Sequence, residues 1–279
     1  MSVRKHTASA AGPPPRIEVR NRAGSVSVAA VEGATELEIR VEPLDQAAEE
    51  LLDQVEVEVS AAEPDRVDSP TRLRITVPER RLGRTPAFAI RITAPAGASA
   101  RIAVASADVD LGGRLGTLEL TAASGDVGVE SCADLHLRSA SGGARIGTVT
   151  GHGTIGTASG DVRLGRVAGG LEVRTASGDV SVDETVGSVS IRTASGEVSI
   201  GAAEAGRGID VRTVSGDATV GVAAGLRVWL DLSTVSGRMH SALDADDAAG
   251  EGPPALSIAM RSVSGDLRVR QAVVPPAAA

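Results

Sequence analysis

The chain has 279 residues, a net charge of −8, 42 % hydrophobic but only 1 % aromatic residues, and one cysteine. An acidic chain with few aromatic side chains lacks the basic surface and stacking groups that nucleic-acid binding requires, and a single cysteine excludes an intrachain disulfide. No apolar run reaches the ~20 residues of a membrane span and no signal-peptide apolar run follows the basic start, so the sequence as given predicts a cytoplasmic protein without membrane insertion.

The first third of the chain reads as a tail followed by a cap. Residues 1–15 contain GPPP and are predicted to be disordered. Residues 16–97 are predicted to form a β-rich cap, because RIEVRNRAGSVSVAAV, VEVEVS and FAIRITAP alternate apolar and polar residues as strands do. Within this cap LDQAAEELLDQ, from Leu44 to Gln54, consists of good helix formers and predicts one short helix.

Residues 98–270 repeat one phrase nine times, most clearly as RTASGDVSV from Arg174 and RTASGEVSI from Arg192. When the copies are aligned on their serine, the residue four before it is always aliphatic or Met, and the residue three after it is always apolar. Alternation with a period of two predicts strands with one buried face. The buried parity changes just after the serine, where glycine follows in eight copies, so we predict a corner there.

The corner residues are predicted to be structural. The clearest serine–glycine pairs are Ser124 and Gly125, Ser159 and Gly160, Ser177 and Gly178, Ser195 and Gly196, and Ser215 and Gly216. By parity, the serine and the Thr or Ser two residues before it should both point inward. Their hydroxyls are then expected to satisfy backbone groups of the turn.

A repeat that cannot bury its apolar face alone must stack against its neighbours. We therefore predict an all-β fold, a single-stranded parallel β-solenoid (β-helix) of about nine ~18-residue coils wound in sequence order behind the N-terminal cap. A β-sandwich of antiparallel strands is the alternative, since it also alternates and uses glycine turns. The acidic insertion at 243–255 is predicted to be a loop, and residues 271–279 are predicted to be a disordered tail.

Two charged rows follow from the same alignment. An exposed acidic ladder stands two residues after the serine, at Asp126, Asp161, Asp179, Glu197 and Asp217, and an exposed arginine ladder stands three residues before it, at Arg174, Arg192 and Arg212. We interpret them as solvated rows in which arginine offsets the repulsion between carboxylates, which also accept backbone N–H bonds in the turn. The alternative is a row of weak divalent-cation sites, although calcium requires six to eight oxygen ligands.

No residue set predicts a cofactor, a metal centre or a catalytic group. GHGTIG matches the dinucleotide-binding fingerprint, but the repeat places a strand where that motif needs a helix. His6, His136, His152 and His240 lack metal-ligand spacing. Cys132 has no motif around it and is predicted to be a small packed side chain.

Residues 16–270 resemble the bacterial family of adhesin-like β-strand-repeat proteins. The resemblance rests on GSVSVAAVEGATELEIRVE, AAEELLDQVEVEV, ITAPAGASARIAV and the repeated TASGDV. It implies a solenoid architecture and surface display, and it names no chemistry.

We expect a non-enzymatic structural or interaction scaffold that binds a protein partner or self-associates. Strand addition at the C-terminal coil, near Leu267 to Val269, is the expected mode. Two alternatives remain open. One is a carbohydrate-active β-helix enzyme, for which Asp161 and Asp179 could supply the carboxylates; the other is a cytoplasmic regulatory module of an envelope-stress pathway.

Overall fold

The structure, a computed structural model, describes residues 3–10, 12–60, 69–78, 84–206, 208–243 and 254–272. Strands dominate, and the chain divides into two compact units, Met1–Ala144 and Arg145–Ala279. The strands of unit 1 are β1 (Arg4–Ser9), β2 (Arg16–Val31), β3 (Glu36–Pro43), β4 (Glu56–Ser60), β5 (Arg72–Thr76), β6 (Ala87–Pro95), β7 (Ser99–Ser124) and β8 (Val127–Ser139).

The predicted helix lies within the predicted segment. Helix α1 (Gln46–Leu51) begins after Asp45, whose carboxylate accepts a hydrogen bond from the backbone N–H of Ala48 at 2.7 Å. This is the usual N-cap arrangement, which satisfies one of the donors that the first turn leaves free. A 3-10 turn, Leu52–Gln54, continues the helix. The buried residues of this helical segment are Ala48 and Leu52.

Unit 1 joins the cap to the first copies of the repeat in one ladder. Strand β2 pairs in parallel with β7, with Ile17 beside Ala100 and Val26 beside Val109. The compact unit therefore extends to residue 144 and does not end at the predicted boundary of 97. Three further strand pairs of the cap are antiparallel: β3 pairs with β6 and with β1, and β4 pairs with β5.

Strand β1 corrects the prediction that residues 1–15 form a disordered tail. Its sequence, RKHTAS, pairs antiparallel with β3 from Arg4 opposite Val41 to Ser9 opposite Glu36. The prolines that suggested disorder follow this strand, and they connect it to β2. Main-chain pairing with β3 orders this short polar segment, and the guanidinium of Arg4 also donates to the carbonyl oxygens of Leu52 and Val55 at 3.0 and 2.9 Å.

Unit 2 is a parallel β-solenoid, as predicted, with two strands in each coil. Its strands are β9 (Ala144–Val149), β10 (Gly153–Ser159), β11 (Val162–Val167), β12 (Leu171–Ser177), β13 (Val180–Thr185), β14 (Val189–Ser195), β15 (Val198–Ala203), β16 (Ile209–Ser215), β17 (Ala218–Val222), β18 (Val228–Ser236), β19 (Met239–Ala242), β20 (Leu256–Ser264) and β21 (Leu267–Gln271). Equivalent residues stack directly, with Val173 beside Ile191 and Val180 beside Val198. This parallel register excludes the β-sandwich alternative.

The core is built from repeated columns of small aliphatic side chains. In the coil of β12 and β13 the buried residues are Leu171, Val173, Thr175, Val180, Val182 and Thr185. The last of these belongs to a column eight residues after the serine, which the sequence alignment did not identify. Cys132 and Val167 occupy the same column and are buried as well.

Ser177 corrects the predicted parity, because it is exposed and does not point inward. The alternation of buried and exposed side chains ends after Thr175, within the last residues of β12, so Ala176 and Ser177 are both exposed. The hydroxyl of Thr175 alone turns inward, and it donates to the carbonyl oxygen of Ser177 at 2.9 Å. The same bond joins Thr193 to Ser195. This bond supports only some of the corners, because in the described part of the chain the equivalent hydroxyls are buried without a hydrogen-bond partner at Thr157, Thr213 and Ser262.

The last two coils do not follow sequence order. Strand β20 lies between β16 and β18, and β21 lies between β17 and β19. The coil of β18 and β19, here called the end coil, is thus the outermost described coil although β20 and β21 follow it in the chain. This finding corrects both the expected sequential winding and the expected strand addition near Leu267 to Val269, since β21 already has a partner on each side.

The chain segments around this exchange are only partly described. Most of the predicted acidic loop at 243–255 and most of the predicted tail at 271–279 lie outside the described residues, at 244–253 and 273–279. Residues 271 and 272 are ordered at the end of β21, where the N–H of Ala272 donates to the carbonyl oxygen of Val222 at 2.7 Å.

Candidate interaction surface

The serine–glycine corners stack closely from coil to coil. Gly178 has a φ of +125°, and a Cβ added to it would lie 2.4 Å from the carbonyl oxygen of Gly160. Gly196 meets Gly178 in the same way at 2.3 Å. Only glycine combines this backbone conformation with such a close approach. The corner residues Gly125, Gly160 and Gly216 share the positive φ, so all five of these glycines have a backbone conformation that other residues rarely adopt.

The acidic ladder ties neighbouring coils together. The carboxylate of Asp161 accepts a hydrogen bond from the backbone N–H of Asp179 at 3.2 Å, and Asp179 accepts from Glu197 at 2.8 Å. Asp217 accepts from Asp266 at 2.8 Å, and in unit 1 Asp126 accepts from Gly143 at 2.8 Å. Each carboxylate thereby satisfies a donor of the adjacent corner, which gives the ladder a structural role.

The arginine ladder is paired with different acids from those expected. Arg174 lies 2.6 Å from Glu172, and Arg212 lies 2.9 Å from Asp210, in each case two residues earlier on the same strand. Arg192 approaches Glu172 at 4.0 Å. The prediction that these arginines offset the acidic ladder is therefore wrong, because side chains two residues apart share a face of the strand and meet first.

Other arginines approach the acidic ladder. Arg163 lies 3.4 Å from Asp161, and Arg268 lies 3.2 Å from Asp217. Both side chains of each ion pair are well exposed to solvent. Each pair therefore contributes at most about 1 kcal/mol to the stability of the folded chain. Among the described residues, no group of three or more His, Cys, Asp or Glu side chains is arranged to hold a metal ion.

Unit 1 carries its own charge network on strands β2, β4 and β5. Glu18 accepts hydrogen bonds from Arg74 at 3.2 Å and from Arg20 at 3.1 Å. Partial burial raises the pKa of the Glu18 carboxyl, but these hydrogen bonds and the two positive charges outweigh it, so the pKa lies below its ordinary value. A shallow depression of about 710 Å³ crosses this region, and its lining is dominated by such paired charges.

The remaining candidate residues do not come together as a site. Cys132 is 1 % exposed, and burial together with the negative charge of Asp134 raises the pKa of its thiol to about 11. His136, His152 and His240 are exposed, and His6 is half-buried on β1. GHGTIG leads into strand β10, so the helix that a dinucleotide-binding motif needs does not follow it.

The end coil presents the largest exposed apolar side chains of unit 2. Trp229 is 54 % exposed, Val235 is 82 % exposed and Met239 is 55 % exposed. Leu230 and Leu232 point toward the core in register with Ile258 and Met260, yet they are only half-buried. These five residues are called the end surface below. Together they form the last layer of the core and the open edge beside it.

The open edge follows from the strand pairing. Among the described residues, β18 pairs only with β20, and β19 pairs only with β21. One side of each strand therefore keeps backbone N–H and C=O groups without a sheet partner, and such an edge is a template for another strand. Sequence reasoning placed this edge on the wrong strand, because it assumed that the coils stack in the order in which they occur in the chain.

The family assignment agrees with this architecture. The sequence model of the Toastrack DUF4097 family matches residues 17–270, which span nearly the whole chain. The chain belongs to the Toastrack DUF4097 family. No curated protein is significantly similar in sequence to this Toastrack chain, and none of its described helices is long and apolar enough to cross a membrane.

Several solved structures are similar to the Toastrack chain. A candidate adhesin from Bacteroides fragilis is 12 % identical with a TM-score of 0.48, and the alignment covers 96 % of this chain and 97 % of that one. A candidate lipid-binding protein from Parabacteroides distasonis is 12 % identical with a TM-score of 0.41 and the same coverage. A candidate adhesin from the same organism is 11 % identical with a TM-score of 0.32, again with 96 % and 97 % covered.

Proposed function

We propose that this protein is a non-enzymatic interaction scaffold whose end surface docks against protein. The observation that supports the proposal is the concentration of exposed apolar side chains on the end coil, at Trp229, Val235 and Met239, beside an open strand edge. Exposed apolar groups that cluster at an unpaired edge are characteristic of protein-binding surfaces. Membership of a family of strand-repeat proteins is consistent with such a role.

The other conspicuous residues serve the architecture. The acidic ladder is engaged in coil-to-coil hydrogen bonds, and the arginine ladder is engaged with its own acids. An enzymatic role for Asp161 and Asp179 would compete with these bonds. Docking at the end surface requires no such change, since the edge groups and the apolar side chains are already exposed.

Strand addition is the docking mode that fits the end coil. A strand laid along β18 would gain main-chain hydrogen bonds from its open side, and its alternate side chains would contact Trp229 and Val235 or Leu230 and Leu232. Main-chain bonds supply affinity in this mode, and the apolar contacts supply selectivity.

A differential capture experiment tests the proposal. The full chain, the variant Trp229→Arg and the control variant Val31→Arg are immobilised and exposed to the same bacterial lysate. Val31 is an exposed valine on β2 of unit 1, so it reports the general effect of adding an arginine to the surface. We expect proteins that are retained by the full chain and by the control but lost from Trp229→Arg. Equal retention by all three baits would refute a docking role for the end surface.

A further inference from the structure

The end coil is a core layer that lacks its cover. In the adjacent coil, Ile258, Met260 and Leu267 are completely buried. Their register partners in the end coil are Leu230, Leu232 and Met239, which point the same way and remain accessible. The two layers differ because the end coil has no further described coil on its outer side. A partner that supplies the same kind of layer would bury these side chains fully.

The edge of the end coil also lacks the protection that the edge strands of unit 1 have. Strand β1 carries Arg4 and Lys5, and strand β4 carries Glu56 and Glu58. Strand β18 runs for nine residues, VWLDLSTVS, with Asp231 as its one charge. That charge is paired with Arg261 at 3.1 Å. Natural edge strands are usually short, charged or interrupted when they must stay free, so the composition of β18 indicates an edge that is covered.

We propose that the cover is the end coil of a second copy of this chain, with the two β18 strands antiparallel about a two-fold axis at Leu232. This inference rests on the proposed docking role of the end surface, and it names the partner. In this register Trp229 of one copy lies opposite Val235 of the other, and the same contact occurs twice. Aromatic and β-branched side chains form favourable cross-strand pairs, and an isologous interface repeats each of them.

Charge and backbone geometry both fit this register. Asp231 lies opposite Ser233 of the other copy, so no like charges face each other along β18. The carbonyl oxygen of Arg227 accepts from the N–H of Leu256, and strand alternation then directs the backbone groups of Asp231 and Ser233 toward β20. Those of Leu230 and Leu232 face the open edge. Leu232 can therefore form a hydrogen-bonded pair with its own symmetry mate.

The same symmetry continues the hydrophobic core from one copy into the other. Leu230 and Leu232 of one copy meet Thr234 and Leu232 of the other, which places an aliphatic layer on each accessible core end. The two β19 strands also meet, because both strands of the end coil end at the same open face. The interface thus extends the sheet of unit 2 across the two-fold axis, with an antiparallel strand pair where successive coils of unit 2 form parallel pairs.

The oligomeric state of the full chain tests the inference. By size-exclusion chromatography with light scattering, at chain concentrations up to about 100 μM, we expect a dimer whose dissociation constant lies well below that range. Trp229→Arg should raise the dissociation constant about 30-fold or more, because a central aromatic is lost from both copies. Val31→Arg should leave it unchanged. A strictly monomeric full chain, or a dimer unaffected by Trp229→Arg, would overturn the inference.

Site-specific crosslinking tests the register independently. In the proposed pair, the Cα atoms of Leu232 and its mate are ~5.5 Å apart, which is within disulfide range. Leu232→Cys should form a disulfide-linked dimer on mild oxidation. The matched variant Thr234→Cys should not, since its mate lies four residues away, or ~13 Å along the strand. Efficient crosslinking of Thr234→Cys without Leu232→Cys would exclude this register.

The outcomes also separate this inference from the proposed function. A monomeric chain that still loses captured proteins on Trp229→Arg would keep the docking role and reject the second copy as its partner. A monomer with no such loss, and with slow amide exchange at Leu230 and Leu232, would show that the chain covers its own end coil. That result would reject both proposals.

Discussion

The carboxylate of Asp179 accepts a hydrogen bond from the backbone N–H of Glu197, 18 residues later in the chain and one coil further along the stack, at 2.8 Å. Asp179 in turn donates its own N–H to Asp161. A row that would otherwise be a set of repelling charges is thus a chain of charge-assisted bonds between coils. This relationship explains why an acid recurs at the corner although the core does not need one.

Removal of one member of this row should loosen the stack measurably. We expect Asp179→Ala to lower the free energy of unfolding by about 1 kcal/mol, because the N–H of Glu197 loses its acceptor. Asp179→Asn keeps an acceptor oxygen and should lose less. Asp183 is exposed on β13 and serves as the control, since Asp183→Ala should change stability by no more than about 0.5 kcal/mol. Urea denaturation measures all three, and equal losses at Asp179 and Asp183 would contradict the role of the row.

Substitution of a corner glycine should lower the stability of the protein by a larger amount. Gly178→Ala should destabilise the protein by about 2 kcal/mol or more, since the new Cβ meets the carbonyl oxygen of Gly160 and the backbone has positive φ. Gly156 on β10 is the matched control, because it has no positive φ and nothing lies within 4 Å of an added Cβ. Thermal unfolding should therefore separate the two alanine variants clearly. A mild effect at Gly178 would mean that the corners can open without cost.

The exchanged order of the last coils can be tested by paired cysteines. Val214, Val263 and Val235 are exposed at equivalent positions of β16, β20 and β18. With β20 in the middle, Val214→Cys and Val263→Cys lie on adjacent strands ~4.8 Å apart and should crosslink. Val214→Cys and Val235→Cys lie two strands apart and should not. Mass spectrometry after oxidation of the monomer fraction distinguishes the two, and the reverse result would establish sequential winding.

The buried thiol of Cys132 should make the free energy of unfolding depend on pH. Its pKa is raised from 9.0 to about 11 by burial and by Asp134, so the folded chain keeps the proton that the unfolded chain releases. This contribution to stability is complete below pH 9 and is lost as the pH rises through 11, by about 3 kcal/mol in total. Denaturation at several pH values should show this loss in the native chain and its absence in Cys132→Val. Iodoacetamide should label Cys132 only after unfolding, and rapid labelling of the folded chain at pH 8 would contradict its burial.

Much of the solenoid could be predicted from the sequence because each position that points into the narrow core accepts only a few residue types. The same type therefore recurs in copy after copy of the repeat. Val173, Val180 and Val182 are buried as the alternation predicts. Ser177 is exposed because a corner ends the alternation one residue earlier than the pattern alone can indicate. The column of Thr185 could not be recognised in the sequence, because the residues in it are Cys, Val, Thr and Ala and they share no single chemical character.

The end surface could not be predicted for a different reason. A parallel ladder accepts any coil whose apolar columns match, and the apolar columns of both β18 and β20 match those of β16. Main-chain register therefore leaves their order open, and the placement of β20 between its neighbours depends on the packing of particular side chains. Two local signals mark the end coil: Trp229, whose equivalents Gly208 and Ser257 are small, and Ser241, which stands in a core column that is aliphatic in the other eight copies. A large aromatic residue at this outward position marks a strand whose surroundings differ from those of its neighbours.

The intercalated C-terminal coil has a consequence for biosynthesis. Strands β18 and β19 leave the ribosome before β20 and β21, the only strands with which they pair among the described residues. Until β20 and β21 have been synthesised, the end coil has no native neighbour, and a chain truncated before residue 256 would lack the coil that separates the end coil from β16 and β17. The native order of the stack can therefore form only after β20 and β21 have been synthesised, and these two strands must insert between coils that left the ribosome before them.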